Sequence, residues 1–199
     1  MKSTTQAARR RRTAQILESA ALLACCFLAA PSARADDTVD LGATVPDAAK
    51  IKQGLFPDDE CKQLKEAGFK CMGFKPPVRF SLPAVSFKLG SAELPDELKH
   101  QLDAFAKALR DRPASDDKVR VEGHADASGD ASANKDLSLR RAENAREYLI
   151  HQGVNADLLV AIGLGAKDLK DPSNPTAAEN RRVVIGRDQA APASSADSH

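Results

Sequence analysis

Between residues 80 and 187 the chain changes period repeatedly. In AVSFKLG, Val85, Phe87 and Leu89 alternate with Ser86 and Lys88, which predicts a strand. DELKHQLDAFAKALRDR then spaces Leu98, Leu102, Phe105, Ala106 and Leu109 at helical intervals, and Pro113 is expected to stop that helix. KVRVEG sets Val119 and Val121 against Arg120 and Glu122, a second strand. LSLRRAENAREYLIHQG puts Leu139, Ala142, Arg146 and Leu149 on one stripe, with Gly153 as its stop. LLVAIGLG and RRVVIGR read as a third and a fourth strand. The predicted order is β-α-β-α-β-β, an α/β sandwich with helices packed on a mixed sheet.

The flanks lack such periods. Residues 36–50 are polar and are expected to be a flexible lead, and residues 51–79 a linker or small stapled segment broken at Pro76 and Pro77. The tail 188–199 is low in complexity and is expected to be disordered. Residues 1–35 have the form of an export signal. MKSTTQAARRRRTAQ is basic, AALLACCFLAA is an apolar run of eleven residues, and Ala33 and Ala35 place small side chains before a cut after Ala35. The run is short against the ~20 residues a bilayer helix needs, so no membrane span is expected in the mature chain. Two other readings stay open. LLAC, ending at Cys25, loosely resembles a lipobox, which would lipidate that cysteine, and Arg11-Arg12 stand where a twin-arginine signal would have its pair.

Export changes the charge picture. The whole chain has a formal net charge of +1, but residues 1–35 hold six basic residues and one acid; the rest keeps 23 basic and 27 acidic residues, a net of −4. The basic cluster leaves with the signal, which argues against nucleic acid as a partner. The chain has no tryptophan and one tyrosine, Tyr148, so a large aromatic surface for sugars or bases is not expected. Cys61 and Cys71 remain in the mature chain and are expected to form a disulfide in an oxidising compartment.

The chemistry concentrates in VEGHADASG, residues 121–129, where a β-branched run ends in Gly123, His124, Asp126 and Gly129. A metal site, an acid/base pair and a carboxylate for a cationic ligand are the three readings. A zinc enzyme needs three or four ligands, and neither HExxH nor a second HxD accompanies His124 and Asp126. There is no GxSxG, and Gly163-Leu164-Gly165 lacks the third glycine of a dinucleotide fingerprint. The expectation is a site that binds without turnover, with no metal and no cofactor. His124 reads as a strand-end histidine bonded to backbone.

Gly123-His124-Ala125-Asp126, Gly129, Asn134, Leu137-Ser138, Arg141-Ala142, Gly163-Leu164-Gly165 and Asn180-Arg181-Arg182-Val183 occur in that order, preceded by GSAEL at 90–94. Together they resemble the OmpA C-terminal-like family, which includes Pal-type lipoproteins and the MotB stator protein. The resemblance covers residues 82–187 and departs at Ala125, where the family usually has threonine. It implies a domain at 80–187 that binds peptidoglycan non-covalently through the diaminopimelate of the stem peptide. On this reading Asp126 takes the ammonium and Arg141 the carboxylate of that zwitterion. Asn134 bonds the ligand or closes the loop, and the Gly90-Ser91-Ala92 loop forms the opposite wall. Leu137 and Arg182 complete the candidate contacts, only one of Arg181 and Arg182 being able to face the site. The bland alternative makes Asp126 a turn cap and Arg141 a structural arginine paired with it.

The expected protein is therefore a periplasmic wall binder, associated with the outer membrane if lipid or a partner holds it there. The rival expectations are an interaction scaffold, whose Phe56, Phe69 and Phe74 meet an envelope protein, and a metal-dependent wall hydrolase.

Overall fold

The computed structural model describes residues 38–70, 75–82, 87–113 and 117–188. The alternation of Val119 and Val121 with Arg120 and Glu122 forms the strand it predicts, β3 (Val119–His124). In chain order β1 (Thr38–Asp40), α1 (Ala48–Leu55), α2 (Asp58–Glu66), β2 (Arg79–Leu82) and α3 (Asp96–Leu109) precede it. The elements α4 (Ala131–His151), β4 (Leu159–Gly165) and β5 (Val183–Arg187) follow. The sheet runs β1-β2-β5-β3-β4. It is mixed: β1 with β2 and β3 with β4 pair parallel, while β5 runs antiparallel to both β2 and β3.

One face of the sheet is apolar. Phe80, Leu82, Val119, Val121, Val183 and Ile185 are buried in a single core with Leu98, Leu102, Phe105 and Leu109 of α3 and Ala142, Ala145 and Leu149 of α4. Each such large apolar side chain stabilises the fold by about 1.5–3 kcal/mol. The other face carries Arg79, Ser81, Arg120, Glu122 and His124. Glu122 joins them, with Arg79 in a close ion pair and Arg120 at 2.8 Å. Arg146 donates to the Leu159 carbonyl at 2.9 Å and Lys135 to that of Gly163, so two cations of α4 cover carbonyls of the outermost strand, β4.

Three sequence expectations change. Residues 38–66 are more ordered than a lead and a linker: β1 joins the sheet beside β2, and Leu41, Ile51, Leu55 and Phe56 are buried in the same core. The strand expected around Phe87 lies earlier, at β2. Residues 87–90 are not strand, and Leu89 is 73% exposed. Among the described residues the ladder between β2 and β5 ends where Leu82 pairs with Val183, the first residue of β5. The remaining residues of that expected strand, 84–86, lie outside the described residues. Finally, α3 ends at Leu109, before Pro113 can act. Arg112 instead stacks on Phe56 at 3.3 Å and bonds Asp59 at 2.6 Å.

Phe56 is thus core, whereas Phe69 is 65% exposed. Cys61 is disulfide-bonded; Cys71, the partner expected for it, lies outside the described residues, as do Phe74, the signal at 1–35 and the tail from 189. No helix among the described residues is long and apolar enough to cross a membrane.

Two glycines set how closely the sheet and α4 approach. A Cβ on Gly123 would lie 1.9 Å from the Ser138 carbonyl oxygen, and one on Gly163 would lie 2.5 Å from the Leu139 nitrogen. Both obstacles are helix backbone, which cannot step aside as a side chain can. Gly123→Ala is expected to destabilise the protein by about 1–3 kcal/mol through overpacking, read as a lowered denaturant midpoint at unchanged m-value.

Candidate functional site

The site lies beyond the C-terminal ends of β3 and β4, where the chain leaves β3 for α4. Asp126 is 3% exposed and turns into this loop. Its Oδ1 accepts from the Ser128 backbone at 3.1 Å and from the Ser128 hydroxyl, and its Oδ2 accepts from Arg181 Nη1 at 2.7 Å. Burial acts to raise its pKa, but the Ser128 hydroxyl and the Arg181 guanidinium prevail and hold the carboxyl below its ordinary value. Gly129 closes the turn with φ of +84°, a left-handed conformation that favours glycine.

Asn134 fastens the loop. Its amide donates to the Asp126 carbonyl at 3.1 Å and to the Ser128 carbonyl at 2.9 Å. Of the two roles open to it in the sequence, loop closure is the one its hydrogen bonds fill. Asp130 caps α4 by accepting from the Ser132 and Ala133 nitrogens at 2.8 and 3.2 Å. Those N–H groups are therefore already engaged. Ser138 ties the helix to β4 by accepting from the Gly165 nitrogen at 2.8 Å. Across the site, Asn180 donates to the Asn174 and Pro175 carbonyls at 3.0 and 3.2 Å. The Pro175 carbonyl in turn accepts from the Ala127 nitrogen at 2.9 Å, which steadies the loop bearing Asp126.

Arg141 is fully buried. Its Nε donates to the Ser91 carbonyl at 2.9 Å and its Nη1 to the His124 carbonyl at 3.1 Å, while Nη2 lies 3.4 Å from the Lys88 carbonyl. The guanidinium also sits 4.7 Å from the centre of the Phe87 ring. Every one of these partners is neutral. Burial, assisted by the neighbouring charge of Arg181 and only partly offset by Asp126, lowers its pKa to about 10. It stays protonated at neutral pH as a buried cation without its own carboxylate. The structural pairing of Arg141 with Asp126 is therefore absent: Asp126 is bonded to Arg181.

Asp126, Asn134, Leu137 and Arg141 border one cleft of about 370 Å³, together with Leu89, Gly90, Arg140 and Arg181. The other expected contacts are placed elsewhere. Ser91 and Ala92 turn their carbonyls to Arg141 and Asn144, so they support the wall and do not line the cleft. Arg182 lies on the polar face of the sheet, where it bonds the Asp168 carbonyl at 3.0 Å and its carboxylate at 3.2 Å. Arg181 takes the place expected of it, with Nε on the Phe87 carbonyl at 2.9 Å. Parity along β5 carries the signal: Val183 and Ile185 face the helices, so Arg181 shares their side and Arg182 shares that of Val184. His124 also turns to the polar face, its Nδ1 3.2 Å from the Asp168 carbonyl. It bonds backbone, as expected, and does not join Asp126 as a ligand pair. Among the described residues no group of three or more His, Cys, Asp or Glu is placed to hold a metal.

The stretch that builds this cleft, residues 86–182, matches the OmpA family. Those residues are an OmpA family domain. Outer membrane protein A of Yersinia pseudotuberculosis is 38% identical over 88 residues, which are 44% of this chain and 25% of that protein. The probable lipoprotein YiaD of Escherichia coli is 35% identical over 109 residues, 51% of this chain and 46% of that one. The chain thus spans less than half the length of either relative. Among solved structures, the peptidoglycan-associated lipoprotein from Burkholderia pseudomallei is 26% identical, with a TM-score of 0.46, covering 53% of this chain and 92% of that one.

In this OmpA family domain, the Ser128 hydroxyl and Arg181 together hold Asp126 ionised. Carboxyl NMR titration is expected to place Asp126 below the ordinary carboxylate range, and Arg181→Gln to move it upward. Because the folded value is depressed, the stabilisation Asp126 contributes is present above the ordinary range and is lost as pH falls through the depressed value.

Proposed function

We propose that the domain binds peptidoglycan non-covalently, through the diaminopimelate of the stem peptide, and so anchors an envelope protein to the cell wall. The observation that carries this reading is the fully buried Arg141, which has only neutral partners and borders the same cleft as the ionised Asp126. A buried cation of this kind is stabilised by an incoming anion, and a planar guanidinium suits a carboxylate. Asp126 offers the complementary charge for an ammonium. Diaminopimelate presents both groups on its free stereocentre, and Leu89 and Leu137 flank the cleft where its methylene chain would lie.

Each charge-assisted contact contributes roughly 1.5–3 kcal/mol. Two of them supply about 3–6 kcal/mol, so a micromolar complex, which needs about 8 kcal/mol, also draws on apolar contact and on further contacts between chain and wall. The relatives' names, an outer membrane protein and a probable lipoprotein, agree with a site of action in the envelope. With the export signal expected at 1–35, this supports a location in the periplasm or at the outer membrane. The chemistry proposed is binding, with no turnover and no cofactor.

Co-sedimentation with purified sacculi tests the reading. Wild-type protein is expected to pellet and to be released by free diaminopimelate. Asp126→Ala is expected to stay in the supernatant while retaining a native circular dichroism spectrum. Undiminished pelleting of Asp126→Ala, or release of soluble muropeptides by the wild type, contradicts it. Arg141→Ala is the less clean probe, because it also costs stability by leaving buried carbonyls without a donor, at about 1–3 kcal/mol each.

A further inference from the structure

The cleft holds more positive charge than a single zwitterion requires. Five charged side chains border it: Asp126, Asp130, Arg140, Arg141 and Arg181. Asp126 is paired with Arg181, and Asp130 is occupied in capping α4. Two guanidinium groups are left without a carboxylate, Arg141 at the base and Arg140 at the exposed rim. Arg140 makes no hydrogen bond or ion pair with any described residue. Asp136 and Glu143, about one helical turn to either side, are exposed and do not engage it. Its place is set by the helix: Ala133, Leu137, Arg140 and Arg141 fall at successive intervals of four, three and one, which keeps them on one stripe. The other members of that stripe, Ala133 and Leu137, are small or apolar and offer the two arginines no acid.

We propose that Arg140 binds a second carboxylate of the ligand, so that the site selects stem peptides with two free anionic groups. This rests on the peptidoglycan reading and deepens it. In such a peptide the residue before diaminopimelate is a glutamate linked through its side chain, which leaves its α-carboxylate free at the other end of the diaminopimelate methylene chain from the gripped stereocentre. Arg141 holds the carboxylate of the free diaminopimelate stereocentre, and Arg140 meets the glutamate carboxylate at the rim. Amidation of that carboxylate removes the charge and keeps the shape.

The test is titration calorimetry of the full chain with two soluble diaminopimelate stem peptides, one with the glutamate α-carboxyl free and one with it amidated. Wild type is expected to prefer the free acid by roughly threefold to tenfold at low salt, with the preference shrinking as salt is added. Arg140→Gln is expected to remove the preference by weakening binding of the free acid alone. Equal affinity of the wild type for the two peptides, or equal weakening of both by Arg140→Gln, overturns the role of Arg140 and leaves the peptidoglycan reading standing. Binding of neither peptide by the wild type overturns that reading, and the second carboxylate with it.

Discussion

A guanidinium sealed from water with no acid of its own constrains this fold more than any other group. Burying a charge is costly, and the protein offsets the cost for Arg141 with backbone carbonyls from two separate segments and an aromatic face. Those carbonyls belong to Ser91, in the loop before α3, and to His124, the last residue of β3. One side chain on α4 therefore fastens two walls of the cleft. Satisfying it with carboxylates would stabilise the empty protein and remove the reason to bind an anion. Leaving it without a carboxylate agrees with the anionic ligand proposed for the cleft.

The rest of the scaffold serves that geometry. Gly123 and Gly163 let the sheet touch the backbone of α4, which brings Asp126 and Arg141 to one cleft. The Asn134 amide binds two loop carbonyls and the Asn180 amide three, and between them they hold both loops that frame Asp126. Ser138 joins the helix to the end of β4. The residues that recur in the sequence motif are thus mostly structural: they shape backbone, and Asp126 and Arg141 supply the charge. Arg181 adds a further layer by keeping Asp126 ionised and oriented.

Much of this was legible in the residues. Periods marked β3, α3 and α4, and short apolar runs marked β4 and β5. The elements α1 and β1 were missed. Only Ile51 and Leu55 of α1 are buried, and the three residues of β1 are all exposed. Their order comes from pairing with β2 and packing on the core, which short-range patterns do not carry. The strand near Phe87 was misplaced because alternation can also arise in a loop: Phe87 is buried beneath Arg141, while Leu89 projects at the cleft. The choice of Arg182 over Arg181 was a parity error that the core positions Val183 and Ile185 could have prevented. That Arg141 bonds carbonyls and not Asp126 was beyond the sequence, because it depends on where the loop at 88–91 passes.

The most direct measurement compares two stem peptides that differ by one carboxylate: one containing diaminopimelate, the other lysine, which keeps the ammonium and lacks the far carboxylate. If Arg141 provides a waiting anion site, the wild-type protein binds the diaminopimelate peptide and loses at least about tenfold in affinity for the lysine peptide, the equivalent of 1.4 kcal/mol. Equal affinity for the two would mean that the buried guanidinium does not meet the ligand and is structural alone.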